Sequence, residues 1–225
     1  MTPYYEDGHV TLYHARWEDV DPALLAADVL VTDPPYGMSW DVGDSTFRAK
    51  NRVRLGTQYD PIVGDDKPFD PAPLLALGLP SVLWGGNHYA PRLPASPAWW
   101  VWDKRVTMNS NDQSDCEMAW TNIGGRARMF RMVWNGGGVL RRENQLKGGA
   151  GASVTVHPTQ KPVDLMRWCI TLAPEGTILD PYAGSGTTLV AAKSLGRRAI
   201  GVECVERYCE VAANRLRQEV LGLVA

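Results

Sequence analysis

Asp28-Val29-Leu30-Val31-Thr32-Asp33-Pro34-Pro35-Tyr36 decides the fold of this 225-residue chain. Val29, Leu30 and Val31 form a short continuous apolar run, the pattern of a strand buried on both faces. Pro34 and Pro35 lack N–H donors and cannot continue a hydrogen-bonded ladder, so the strand ends at Asp33. Strand, carboxylate, rigid turn and aromatic follow in that order. This places Asp33 and Tyr36 at the carboxyl edge of a sheet, where open α/β sheets bind ligands. A carboxylate beside fixed carbonyls offers only acceptors, and Tyr36 adds a flat face next to it. Such a surface suits a planar group bearing an exocyclic –NH2. Asp-Pro-Pro alone would fit a plain proline turn with a packed tyrosine; the buried strand before it and Tyr36-Gly37 after it weigh against that.

A second constellation lies far along the chain. Thr177-Ile178-Leu179-Asp180 reads as a strand, Gly184-Ser185-Gly186-Thr187-Thr188 as a turn opening a helix, and Arg198 to Glu203 as the next strand. This is the layout of a nucleoside-binding βαβ unit: glycines allow close backbone approach, and an acid about 20 residues on takes ribose hydroxyls. The dinucleotide fingerprint needs a third small residue where this chain has Leu189, and no basic residue stands ready for a pyrophosphate. The pattern suits a nucleoside without phosphates.

The length fits one large α/β domain. A formal charge of −2 gives no global sign of a polyanion partner, so a case for nucleic acid must come from local clusters. Cys116, Cys169, Cys204 and Cys209 show no Cys-x-x-Cys spacing, which points to free or buried thiols, with neither disulfides nor a metal site. The first residues lack a basic region and an apolar core, and no apolar run approaches membrane-spanning length. A soluble, cytoplasmic protein without a membrane partner is expected.

In chain order, Val10–Tyr13 reads as a strand, Trp17–Ala27 as a helix-like turn, Pro71–Leu79 as a short helix, and Ser81–Trp84, Trp99–Trp102 and Glu117–Trp120 as strands. The tryptophan clusters lie within strand-like runs and are assigned to the core rather than to base stacking. Gly37–Asp66 lacks an apolar period, and 121–156 is rich in Gly, Arg and Asn, expected as loops and short strands. A helix follows Pro162, with Pro162 in its first turn and Leu165, Met166, Cys169, Ile170 and Ala173 on its apolar face. Glu206–Val220 is the last amphipathic helix. No internal repeat or linker composition divides residues 1–225, which read as a single domain.

Asp33-Pro34-Pro35-Tyr36, His157-Pro158-Thr159-Gln160-Lys161-Pro162 and Asp180-Pro181-Tyr182-Ala183-Gly184-Ser185-Gly186-Thr187-Thr188, in that order, resemble the β class of amino-group DNA methyltransferases that use S-adenosylmethionine. The resemblance covers nearly the whole chain. It implies a Rossmann-like methyltransferase fold with a mostly parallel sheet of about seven strands, closed by an antiparallel pair. In that class the catalytic half precedes the cofactor half, a circular permutation of the usual order. By the same resemblance Asp33, Pro34, Pro35 and Tyr36 are the catalytic motif: Asp33 and the Pro34 carbonyl accept from the target amino group, and Tyr36 stacks on the extruded base. Thr159, Lys161, Asp180, Tyr182, Gly184, Gly186, Thr187 and Glu203 are implied on the cofactor side, with Glu203 on the ribose. Family members commonly carry Gly-Asp after the first strand. This chain reads His14-Ala15-Arg16-Trp17, with Glu18 as the nearest acid, so contacts to the cofactor's adenine do not carry over.

An aspartate heading the first motif resembles adenine-N6 enzymes more than the serine favoured by cytosine-N4 enzymes, so adenine N6 leads and cytosine N4 is the close alternative. A glutamine-amide protein methyltransferase is disfavoured, since those carry Asn at the Asp33 position; so is a non-catalytic nucleic-acid-binding protein, given intact motifs. A cytosine-C5 enzyme would need a Cys nucleophile, usually after proline, and none of the four follows one. DNA is the expected partner. The resemblance leaves room for a homodimer and for a separate restriction endonuclease, although no nuclease motif is visible. Two basic clusters fit DNA. Arg48, Lys50, Arg52 and Arg54 fall in an expected mobile loop at about 38–60. Arg126, Arg128, Arg141 and Arg142 fall in an expected target-recognition region at 121–156.

Overall fold

The computed structural model describes residues 1–38, 63–107, 109–110, 114–133 and 160–218. In chain order its strands are β1 (Tyr5–Glu6), β2 (Val10–His14), β3 (Val29–Thr32), β4 (Ser81–Trp84), β5 (Trp99–Asp103), β6 (Cys116–Thr121), β7 (Arg128–Arg131), β8 (Ile178–Asp180) and β9 (Ala199–Glu203). They form one sheet in the order β1-β2-β9-β8-β3-β4-β6-β5-β7. The block β2-β9-β8-β3-β4 is parallel throughout; β6 runs antiparallel to both β4 and β5, and β1 antiparallel to β2. Among the described residues the strands number nine rather than about seven. The additions are the two edges: two-residue β1, and β7, which lies parallel to β5.

The parallel strands read as unbroken apolar runs because both faces are covered. Val29 and Val31 point into one core with Val10, Leu12, Val82, Trp84 and Ile178. Over it lie α2 (Val163–Leu172), α3 (Thr187–Ser194) and α4 (Glu206–Gln218), supplying Leu165, Ile170, Leu189, Val190, Ala212 and Leu216. Leu30 points the other way, with Leu83, Leu179 and Val202, onto Val20, Leu25, Phe69, Tyr89 and Leu74 of α1 (Ala72–Leu75). Each such side chain contributes about 1.5–3 kcal/mol when fully buried, so a charge at 29, 30 or 31 would unseat the central strand.

Local chemistry trimmed the expected helices. The 17–27 segment forms two 3-10 turns, Trp17–Asp19 and Pro22–Leu25, because Pro22 lacks an N–H and the Asp21 side chain caps the second turn at Ala23. The 71–79 helix stops at Leu75, followed by Gly78 at φ +68° and then Pro80. Pro162 stands just before α2 in an extended conformation, not within its first turn. No helix among the described residues is long and apolar enough to cross a membrane.

Strand order places the site. From β3 the chain steps to β4 on one side, while β8 and β9 lie on the other, so the order reverses between β3 and β8. Ligands of open α/β sheets bind at such a reversal, outside the carboxyl ends of the strands. The two strands are in register, Leu30 beside Leu179, which brings the end of β3 against Asp180.

Candidate active site

At that reversal the Thr32 hydroxyl donates to Asp180 Oδ1 at 2.7 Å, inside the core, and joins the two strand ends. Asp33 follows at once. Its two oxygens are held separately: Tyr36 Oη donates to Oδ1 at 2.5 Å and Lys161 Nζ to Oδ2 at 2.6 Å. A carboxylate oxygen has two lone pairs, so each retains one for a ligand. Burial pushes the Asp33 carboxyl up, and the Lys161 ammonium and the two hydrogen bonds pull against it.

The Tyr36 ring is fixed by what surrounds it. His88 stacks on it at 4.9 Å between centroids with 12° between planes. Gly85 has φ +71°, and a Cβ there would fall on the Tyr36 ring, so only glycine fits the approach. Asp65 accepts from the N–H groups of Gly37 and Met38 and tethers the end of the turn.

On the β8 side, Asp180 also accepts from the Tyr182 N–H, and burial pushes its carboxyl up to about 6 against its hydrogen bonds to Thr188, Thr32 and Tyr182. Gly184 and Gly186 both take positive φ. A Cβ on Gly186 would collide with Ala212 of α4, so this glycine lets the helix pack onto the turn. Glu203, at the end of β9, is buried with its two oxygens accepting from the N–H groups of Gly184 and Val205, each at 2.8 Å. Burial pushes its carboxyl up while these bonds hold it down. Tyr182 Oη accepts from the Trp17 indole at 3.0 Å, and Arg215 of α4 donates to Thr187 Oγ1.

These groups share one cavity of about 550 Å³, lined by Asp33 to Tyr36, by Asp180 and the Gly-rich turn, and by Glu203. A cavity of this size takes a drug-sized ligand. The structure thus brings together Asp33, Pro34, Pro35, Tyr36, Lys161, Asp180, Tyr182, Gly184, Thr187 and Glu203, with Gly186 in the same turn. Thr159 lies outside the described residues. Lys161, expected on the cofactor side, has its ammonium on the Asp33–Tyr36 turn instead. Its third partner is Glu117 of β6, at 3.1 Å, which in turn binds Lys104 at 3.0 Å. Glu117, Lys104, Asn87 and His88 line the cavity too, and the sequence reading assigned none of them a role. The signal was present but faint: charges at Asp103-Lys104 and Glu117 bound otherwise apolar strands. Among the described residues no cluster of His, Cys, Asp and Glu could hold a metal ion.

Arg48, Lys50, Arg52, Arg54, Arg141 and Arg142 lie outside the described residues. Arg126 and Arg128 are exposed on or just before edge strand β7, whose parallel register sets Arg128 beside Trp100 and Arg131 beside Asp103. At about 3.3 Å per residue, Arg128 sits roughly 10 Å back from the carboxyl edge, and Arg126 farther still. Arg131 is level with the mouth of the cavity, 63% exposed and only loosely paired with Asp103 at 3.9 Å.

The family model described as DNA methylase, for N6 and N4 amino-group enzymes, matches residues 87–214, more than half of the chain. The chain belongs to that family. Among curated relatives it is 28% identical to the type II methyltransferase M.ScaI of Streptomyces caespitosus over 98% of this chain and 86% of that one. It is 51% identical to M2.DpnII of Streptococcus pneumoniae over 65 residues, 28% of this chain and 24% of that protein's length. Two solved structures share the fold. The M1.HpyAVI–SAM complex matches 92% of this chain and 98% of that one, with a TM-score of 0.50 and 22% identity. The cytosine-N4-specific PvuII DNA methyltransferase matches 99% and 90%, with a TM-score of 0.57 and 13% identity. The family's Rossmann-like sheet, with the Asp33 motif ahead of the glycine-rich turn, is the arrangement seen here.

Proposed function

We propose that this chain transfers a methyl group from S-adenosylmethionine to the exocyclic amino group of an extruded DNA base, and that the base is adenine, modified at N6. The observation that carries the reading is the pairing of two strand ends in one cavity: an immobilised carboxylate with free lone pairs at Asp33, beside a glycine turn closed by a buried carboxylate at Glu203.

The residues fit the methyl donor. Gly184 lines the cavity where a nucleoside and amino acid would lie, and the Glu203 carboxylate lines it within reach of a ribose hydroxyl. When bound, S-adenosylmethionine supplies an electrophilic methyl on a sulfonium. The remaining work falls to the chain. An exocyclic amine is a poor nucleophile because its lone pair is conjugated into the ring. Asp33 and the Pro34 carbonyl accept its two N–H bonds, draw the nitrogen toward a tetrahedral arrangement and localise the lone pair. Tyr36, pinned through its hydroxyl and by His88, offers the base a rigid face. Positioning and preorganised electrostatics carry the rate.

Adenine is favoured because the first motif residue is Asp33 and not serine. The test is incubation of unmethylated bacteriophage DNA with the protein and methyl-labelled S-adenosylmethionine, digestion to nucleosides and mass spectrometry. N6-methyladenine is expected, and Asp33→Ala should abolish it while cofactor affinity holds. N4-methylcytosine alone would overturn the choice of base; label on protein and none on DNA would overturn the substrate class.

A further inference from the structure

Lys161 is an enclosed charge in the site, its side chain only 6% exposed. An ammonium has three N–H groups, and here each has its acceptor: Asp33 Oδ2 at 2.6 Å, Tyr36 Oη at 3.0 Å and Glu117 Oε2 at 3.1 Å. Tyr36 spends its own proton on Asp33 Oδ1, which closes a ring of three groups. No N–H of Lys161 is left over for a base or a methyl donor. Lys161 therefore acts through the groups it holds, Asp33 first among them by distance.

Asp33, Lys161, Glu117 and Lys104 follow one another as acid, base, acid, base, each within 3.1 Å of the next. Such a row is neutral overall, so Asp33, its side chain 19% exposed, can stay ionised in the cavity wall. A buried carboxylate without a cation takes up a proton instead, and a protonated Asp33 is a much poorer acceptor for an amine N–H. We propose that Lys161 is the positioning residue that keeps Asp33 ionised and fixed in plane, with Glu117 as the counterweight that tempers its grip, so that this trio sets the lower pH limit of methyl transfer. The proposal rests on the reading of Asp33 as the amino-group acceptor.

Burial acts to strip the Lys161 proton, but Asp33 and Glu117 outweigh it and hold the ammonium charged well above the usual range. Glu117 is itself held ionised against burial by Lys161 and Lys104. The other titratable groups turned toward Asp33 are Asp180 from β8 and Tyr89 from the segment after β4, with His88 behind Tyr36 and Asp65 beyond it. The tyrosines stay neutral in any working range. Asp180 titrates at about 6, so the limit is read as a difference between variants that all retain it.

The experiment is single-turnover methylation of DNA by the full chain from pH 5 to 9. Lys161→Gln should raise the acidic limb by about 1–3 pH units, the span of an adjacent opposite charge, with S-adenosylmethionine affinity within twofold of wild type. Lys161→Arg should return the limb toward its original position. Glu117→Gln removes an anion facing Asp33 and leaves Lys161 in place, so its limb should move the opposite way, to lower pH. A residue that merely braces the fold would lower the plateau in every variant and shift no limb. An unmoved limb in a folded Lys161→Gln variant overturns the proposal. Should that variant not fold, an unmoved or raised limb in Glu117→Gln overturns it equally. A wild-type protein that binds S-adenosylmethionine and methylates no DNA overturns the underlying reading, and the proposal with it.

Discussion

Glu203 offers the sharpest test of the cofactor half, because the structure gives it two separable jobs. Its oxygens each accept a backbone N–H at 2.8 Å, from Gly184 and Val205, at a position only 8% exposed. Hydrogen bonds to a charged group contribute about 1.5–3 kcal/mol each. Glu203→Ala forfeits both, though water entering from the cavity can satisfy the freed N–H groups in part. A loss of about 2–4 kcal/mol in unfolding free energy is therefore expected without any ligand, read by urea denaturation. Contact with ribose hydroxyls adds a further loss of about 1–3 kcal/mol in binding, a roughly 5- to 150-fold weaker Kd for S-adenosylmethionine. Glu203→Gln keeps the shape and one acceptor oxygen but sets its amide NH2 against the other backbone N–H, so it should lose less stability than Glu203→Ala while binding the cofactor at least several-fold more weakly. Isothermal titration of both variants decides. A folded Glu203→Gln protein with wild-type affinity would show that Glu203 organises the turn and touches no ligand.

Two further outcomes follow from the same geometry. The Asp180 carboxyl, pushed up by burial to about 6, binds its proton more tightly in the folded than in the unfolded chain, so stability should fall as pH rises from about 4 to 6; Asp180→Asn should flatten that slope and match or exceed wild-type stability at pH 8, and an unchanged urea profile across this range would refute the assignment. Arg131→Ala should reduce the salt slope of DNA binding by roughly one, whereas Arg126→Ala, far from the mouth, should leave it alone; the reverse result would put the DNA at the other end of β7.

The central strands were legible because burial on both faces leaves an unmistakable run: 28–32, 81–84, 177–180 and 198–203 stand within a residue of β3, β4, β8 and β9. Their order in the sheet was legible only through the resemblance, since nothing in Val29-Leu30-Val31 says which neighbour it takes. Of the edge strands, Tyr5–Glu6 escaped and Arg128–Arg131 was foreseen only as one of the unplaced short strands of 121–156, for a physical reason. With few ladder bonds and one open side, Tyr5–Glu6 and Arg128–Arg131 have no apolar period to display. In the site, groups consecutive in sequence could be read together; groups brought together only by folding could not. Lys161 and Glu117 are 3.1 Å apart, yet Lys161 belongs to a recognisable motif and Glu117, on β6, to none. Their pairing depends on β6 running antiparallel beside β4, which presents Glu117 at the carboxyl edge of its parallel neighbours.

The hydroxyl of Thr32 spans the seam between the two halves of the sheet, with Asp33 one peptide bond away and the glycine turn starting beyond Asp180. A link of 2.7 Å sealed in the core has little slack. Asp180, in the cavity beside the turn, is thereby tied to the residue next to Asp33, the carboxylate proposed to face the base. Whatever coupling this link carries is reciprocal under the proposed function: methyl donor and DNA would alter each other's affinity by the same factor, whichever arrives first.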